Sequence, residues 1–304
     1  MSNRRTFMKN SSLLIGGLPF LEYISSLPKL DLSAKPNIEI YNTNWGFEAS
    51  LEDFLSKSKD VGYDGVEVWV PNSEAKRTEL VNLTAKYELK LGLLAGNSGK
   101  TAQEHLKSFR NSIANAISCN PQFINCHSGR DFFSYEENAP FIEHTIKESK
   151  TSGIPIHHET HRGKILFAAP VAERFIDRYE DLHLTLDISH WTVVHESLLE
   201  NQKERVTKAL SRTSHIHSRV GFQEAPQIPH ASDPKYKAAV DAHFAWWDEV
   251  VKMKTEKGEK LTMTTEFGPP PYMWTYPFKD EPLAKVWDEN VAMMKMWKLR
   301  YLNQ

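Results

Sequence analysis

The sequence predicts an α/β fold, a (β/α)8 TIM barrel that forms a single domain preceded by an export signal. Three observations predict it. From residue 38 onward, short β-rich runs alternate with longer amphipathic ones. The runs begin about every 25 to 33 residues, with one longer interval before the last, which is the spacing of successive strand–helix units. There are eight of them, and eight such units close into a barrel.

In chain order the strand candidates are IEIYNTNW (38–45), GVEVWVP (65–71), KLGLLAG (90–96), FINCHSG (123–129), IPIHHET (154–160), LHLTLDISH (182–190), SHIHSRV (214–220) and LTMTTEFG (261–268). Helical periodicity marks the stretches between them, among them 51–62, 102–119, 171–181 and 282–302. In the last, Trp287, Val291 and Met294 fall on one face, a stripe that reads as core packing rather than a cofactor site. The long interval holds a Pro-rich loop, GFQEAPQIPHASDP (221–234), and then a helical stretch, 235–258. Long loops in compact domains often carry function, so this loop is a candidate lid, with a plain surface insertion as the alternative.

Composition narrows the classes. The chain has 304 residues, 40% of them apolar, enough for the core of one barrel over residues 35–304. A net charge of −2 offers no positive field to nucleic acid. Cys119 and Cys126 fit no zinc-knuckle spacing and read as buried thiols. The N-terminus is different: MSNRRTFMKN is basic, and SSLLIGGLPFL after it is apolar but too short to span a bilayer. Arg4-Arg5 followed by Thr-Phe-Met-Lys resembles a twin-arginine export signal, which implies a signal peptide over residues 1–34 and a periplasmic protein. An ordinary basic N-terminus is the alternative. No cysteine follows the apolar run, so no stable membrane anchor is expected. Without residues 1–34, four basic and two acidic side chains are gone and the net charge is −4.

In such a barrel, chemistry sits at the C-terminal ends of the strands, and polar residues cluster there. Strand 5 runs into HHETHRG (157–163) and ends in Glu159, with His157 and His161 at the same parity. Strand 6 ends in Asp187, with His190 three residues on. Strand 7 carries His215, His217 and Arg219 at alternate positions, and strand 8 ends in Glu266. A buried unpaired carboxylate is costly. Four successive strands that bring acid or imidazole to one point therefore imply a cation. Three carboxylates and one imidazole suit Mn²⁺ or Mg²⁺, with Co²⁺ or Zn²⁺ also admitted, whereas a structural zinc would want cysteines. Each residue alone reads as a hydrogen-bonded loop residue; the case rests on the four positions together.

GYDGVEVW (62–69), where Glu67 follows Gly-Val, resembles the second-strand signature of the xylose isomerase-like TIM-barrel superfamily, the sugar phosphate isomerases and epimerases. INCHSG resembles its fourth strand, and the likeness runs from about residue 38 to 300. The ketose 3-epimerases of this group bind one Mn²⁺ through Glu, Asp, His and Glu on strands 5 to 8, and Glu159, Asp187, His217 and Glu266 match those positions one by one. The Asp-x-x-His pattern recurs as Asp187-Ile-Ser-His190. At strand 7 many relatives read His-x-Lys-Asp; here the residues are His217-Ser218-Arg219-Val220, without the acid, a departure that bears on substrate contacts. His217 aligns with the family ligand and lies nearer the strand end than His215, which reads as buried support.

The resemblance implies a divalent-metal-dependent sugar isomerase or epimerase, which removes a proton next to a carbonyl through a metal-stabilised enediolate. By that resemblance Glu159 and Glu266 serve as acid and base, and His190 and Arg219 hold substrate oxygens. Trp45, Trp69, Tyr272 and Trp274 at strand ends are candidates for stacking on a sugar, or for packing loops. His127, Arg130, Asp131 and His161 face the mouth, with His127 and His161 as substrate-binding candidates. The expected partner is a small-molecule carbohydrate, and a homo-oligomer is left open. Two other outcomes use similar parts: a lyase or dehydratase on a keto-sugar or keto-glycoside, and a multi-zinc phosphoesterase of the endonuclease IV type. A binding protein that has lost catalysis would not need the pair Glu159 and Glu266.

Overall fold

The computed structural model describes residues 23–24, 27–28 and 30–302; the twin-arginine pair and the apolar run after it lie outside the described residues. Eight parallel strands close into a barrel in sequence order, β8 pairing with β1. They are β1 (Ile38–Thr43), β2 (Gly65–Trp69), β3 (Lys90–Gly96), β4 (Phe123–His127), β5 (Ile156–Glu159), β6 (His183–Leu186), β7 (Thr213–His217) and β8 (Leu261–Thr265). The outer layer contains α1 (Leu51–Val61), α2 (Glu74–Lys86), α3 (Ala102–Ile117), α4 (Tyr135–Ser152), α5 (Ala169–Arg178), α6 (Ser189–Val194), α7 (Lys203–Ser211), α8 (Lys237–Glu256) and α9 (Val286–Trp297). This is the TIM barrel, as one domain.

Local chemistry sets the boundaries. Ser50 caps α1 by accepting from the Asp53 amide, Glu52 and Asp53 sit at its positive end, and Gly62 in the left-handed region ends it. Ser134 and Glu137 form a reciprocal capping box at the start of α4. Each strand begins within two residues of its sequence-predicted start. Most end sooner: β6 stops at Leu186 and β7 at His217. Beyond the ladder, Thr160, Asp187, Ser218 and Arg219 remain buried. Their β-like composition reflects burial at the barrel mouth rather than strand pairing.

The apolar core lies between barrel and helices, where Phe109, Phe141, Trp191, Trp247 and Trp297 are fully enclosed. The stripe on α9 joins it: Val291 and Met294 are buried, and Trp287 packs on Phe47 at 5.4 Å between ring centroids. Both cysteines are buried and free. Inside the barrel the layers turn polar toward the mouth. Tyr41 and Phe123 meet edge to face, Phe123 lies 4.3 Å from the His215 ring, and His157 stacks on both Phe123 and His215. Glu67, Asn125 and His217 are also buried, and they form the floor of the site described below.

Two expectations meet specific geometry. The Pro-rich loop is built into the wall: Gln227 exchanges two hydrogen bonds with the Gly268 backbone, and Ala225 through Pro229 are buried. It does not line the central cavity, so it is neither a free flap nor a mere surface insertion. Part of the stretch read as a leader packs on the barrel. The Tyr23 hydroxyl donates to Asp241 at 2.5 Å, Ile24 is 7% exposed, and the Pro28 carbonyl accepts from Arg300. Leu27, Leu30 and Leu32 pack against the same core. No helix among the described residues is long and apolar enough to cross a membrane.

Candidate metal centre

Glu159 is the last residue of β5, Asp187 the first after β6, His217 the last of β7 and Glu266 the first after β8. The strand tilt brings one donor atom of each to a single point, where all four lie within 4.8 Å of one another. All four side chains are buried. His217 Nδ1 stands 3.0 Å from Glu266 Oε2 and 3.5 Å from Glu159 Oε2. Neither His217 Nδ1, Glu159 Oε1 nor Glu266 Oε2 has a hydrogen-bond partner among the described residues. Orphaned donors at such closeness fit a cation: ligands about 2.1 Å from one ion stand roughly 3 Å apart at right angles. A hydrogen bond would have satisfied these atoms instead.

The electrostatics point the same way. Burial pushes the Asp187 carboxyl up, and Glu266 and Glu159 add to it against the opposing Arg219, to about 7. Burial would also discharge His217, yet Glu266, Glu67 and Glu159 outweigh it and hold the imidazole well above its ordinary pKa. For Glu159, burial is outweighed by His127 and His217, and its carboxyl is held well below the usual range. Asp187 is the member left short of positive charge, and a divalent ion bound here would supply it.

Residues around the four fix their orientation. His217 Nε2 lies 3.2 and 3.0 Å from the two Glu67 oxygens, so it donates there and leaves Nδ1 turned to the cluster. A ligand imidazole oriented by a carboxylate is the usual outer-shell arrangement. Glu67 in turn accepts from His215 Nε2 at 3.1 Å and from the Thr264 hydroxyl, which gives His215 its supporting place. Asn125 Nδ2 donates to Glu159 Oε2 at 2.9 Å. Sequence reading noticed Glu67 only as part of a signature and passed over Asn125. The signal for both was an acid or amide at inward parity in an apolar strand.

The other candidates are placed as follows. His127 Nε2 is 2.8 Å from Glu159 Oε2. His161 bonds the Arg162 carbonyl through Nδ1 and lies between the rings of His127 (4.7 Å) and His190 (3.9 Å). His190 is fully buried and accepts from Arg219 Nη2 at 2.9 Å. Arg219 lies off the strand, donates to Asp187, and stands 3.4 Å from Glu266 Oε2. His157 and His158 are not at the donor cluster: His157 is in the layer beneath, and His158 faces outward between Ser128 and Thr145.

A cavity of ≈ 250 Å³ opens over the cluster and is lined by Trp45, Trp69, His127, His161, Arg219 and Tyr272 among others. Trp45 meets Tyr272 edge to face at 4.9 Å, and Arg219 lies over both rings. A side chain at Gly268 would strike the Trp45 ring at 2.3 Å, so glycine there lets the indole close on β8. Trp274 is not part of this wall; it packs on Phe222 and Tyr236 of the long loop.

The family model described as xylose isomerase-like TIM barrel matches residues 55–223, more than half the chain, and the protein belongs to that family. No curated protein matches it. Among solved structures, a D-tagatose 3-epimerase-like protein superposes with a TM-score of 0.60 at 16% identity, covering 87% of this chain and 97% of that one. The 3-keto-D-glucoside 4-epimerase of E. coli gives 0.59 at 10%, covering 86% and 99%. A family 2 AP endonuclease from Brucella melitensis gives 0.53 at 13%, covering 77% and 94%. At these identities the likeness shows the shared fold.

Proposed function

We propose that the protein is a divalent-metal-dependent sugar isomerase or epimerase that moves a proton on the carbon next to a carbonyl. One observation carries the reading: four orphaned or charge-frustrated donors, Glu159, Asp187, His217 and Glu266, converge beneath an aromatic-walled cavity. Structural neighbours that carry epimerase names include one for a tagatose and one for a keto-glucoside, which supports a hydroxy-carbonyl sugar as substrate.

When bound, Mn²⁺ or a similar ion polarises the carbonyl and makes the adjacent C–H more acidic. The chain's own residues do the rest. Glu159, held ionised by His127 and His217, is suited to take the proton. Glu266 Oε2 has no hydrogen-bond partner among the described residues, stands at the same point, and is placed to return one. Return to the opposite face of the same carbon epimerises, and return to the neighbouring carbon isomerises. Arg219 and the His127–His161 pair flank the enediolate and hold its negative charge. Trp45 and Tyr272 form an apolar wall that excludes water and stacks on the sugar's C–H face.

A second reading, a multi-metal phosphoesterase, has one observation in its favour: His127, Glu159 and His161 form a further group that could hold an ion, sharing Glu159. Elemental analysis of the undialysed protein separates the two. One equivalent of manganese, cobalt or magnesium, with solvent deuterium entering a ketose or keto-glycoside, supports the isomerase reading. Two or three equivalents of zinc with phosphodiester cleavage and no exchange would replace it.

A further inference from the structure

The mouth carries a second aromatic surface that the metal-centred reaction does not use. Among the described residues the exposed large aromatics are Trp69 (52%), Phe132, Tyr276 and Phe278. Trp69 ends β2, Phe132 follows β4, and Tyr276 and Phe278 follow β8. All four therefore sit on the strand-to-helix side, where the cavity opens, and none on the opposite end of the barrel. Of the four, Trp69 lines the cavity itself, and an exposed ring set in a cavity wall is apolar area that a bound ligand can cover.

Trp69 is the member whose geometry is specific. It lines the central cavity and is half exposed at once. Its indole is a fixed plate: it meets the His127 ring edge to face at 5.1 Å, and a side chain at Gly96 would strike it at 2.8 Å. Only glycine at the end of β3 leaves room for the ring. His127 in turn touches Glu159. The cavity thus has two aromatic walls. The inner one, Trp45 with Tyr272, is only partly exposed and stands against Arg219 above the donor cluster. The outer one, Trp69, lies on the Glu159 side and faces solvent. Of the basic side chains at this wall, Arg219 is engaged by Asp187 and Glu266, and Arg162 lies over the Tyr272 ring at 5.1 Å.

We propose that the substrate is a glycoside: the reacting ring sits over the donor cluster, and a second ring, sugar or aromatic aglycone, stacks on Trp69. This rests on the isomerase or epimerase reading and narrows its substrate to a keto-glycoside.

The test uses the Mn²⁺-loaded protein and a set of methyl and phenyl glucopyranosides oxidised at C2, C3 or C4. Deuterium uptake gives kcat and KM for each. For whichever ring isomer reacts, the phenyl glycoside should have the lower KM. Trp69→Ala should raise the phenyl KM about tenfold, the loss of one stacking contact. The methyl KM should rise far less, and Trp69→Phe should restore most of the difference. Equal loss for both glycosides would place Trp69 on the reacting ring, and no loss for either would leave the outer wall without a substrate role; each overturns the proposal. No uptake from any compound by the wild-type protein would instead overturn the isomerase reading itself.

Discussion

Glu159 shows how one residue can hold several roles through its neighbours. One oxygen is tied by Asn125 and His127, and the other is left without a partner, so the group is both positioned and available. Glu159→Gln should abolish deuterium exchange while leaving the far-ultraviolet circular dichroism unchanged; normal exchange would remove it from the reaction. Asp187→Ala should lose the metal, and full occupancy in that variant would strike Asp187 from the ligand set. Glu67 is placed one step back, where it sets which nitrogen of His217 faces the donor cluster. Glu67→Gln should therefore weaken metal affinity roughly 10- to 100-fold with the fold intact, and an unchanged metal Kd would refute that role.

At the scale of the element, the strand ends decide the site. β5 and β7 place Glu159 and His217 as their last paired residues, while Asp187, Arg219 and Glu266 hang from the loops just beyond. The geometry of the donor cluster therefore depends on loop conformation as much as on the ladder. The segment before β1 is an element of the barrel too. Ile24 is buried and Tyr23 and Pro28 are bonded to α8 and the C-terminal turn, so a chain beginning at Lys35 should be less stable than one beginning at Tyr23. Burial of one large aliphatic side chain contributes about 2 kcal/mol, or a Tm difference of roughly 5 °C in a domain of this size. Equal melting temperatures would show that the segment does not contribute.

Over the whole molecule, the barrel encloses an unusual number of neutral imidazoles. Burial pushes His158 down to about 3 and His243 to about 4, each with its hydrogen bonds met inside the fold. The sign follows from linkage. The unfolded chain takes up protons near pH 6.5 while the folded one does not, so stability is full above that pH and falls as the pH drops below it. Each such histidine costs about 1.4 kcal/mol per pH unit at most. Urea denaturation should show clearly lower stability at pH 5 than at pH 7.5; a flat profile would mean these rings are protonated in the fold.

The fold was legible because periodicity is local. Alternation at period two and period 3.6 is written in neighbouring residues, and eight repeats leave few ways to bury their faces other than a closed barrel. Glu159, Asp187, His217 and Glu266 were legible as a group for the same reason: residues at strand ends converge in a barrel whatever their distance in sequence. By itself the sequence determined the eight strands, the convergence of Glu159, Asp187, His217 and Glu266 at one end of the barrel, and the buried stripe on α9. The tertiary structure alone decided which carboxylate orients His217, that Trp274 packs the long loop while Trp45 walls the cavity, that the Pro-rich loop is tied to Gly268, and that Tyr23, Ile24 and Pro28 pack on the wall. These are long-range contacts set by side-chain direction and by what lies opposite across the barrel, and nothing in a local run of residues specifies what it will face.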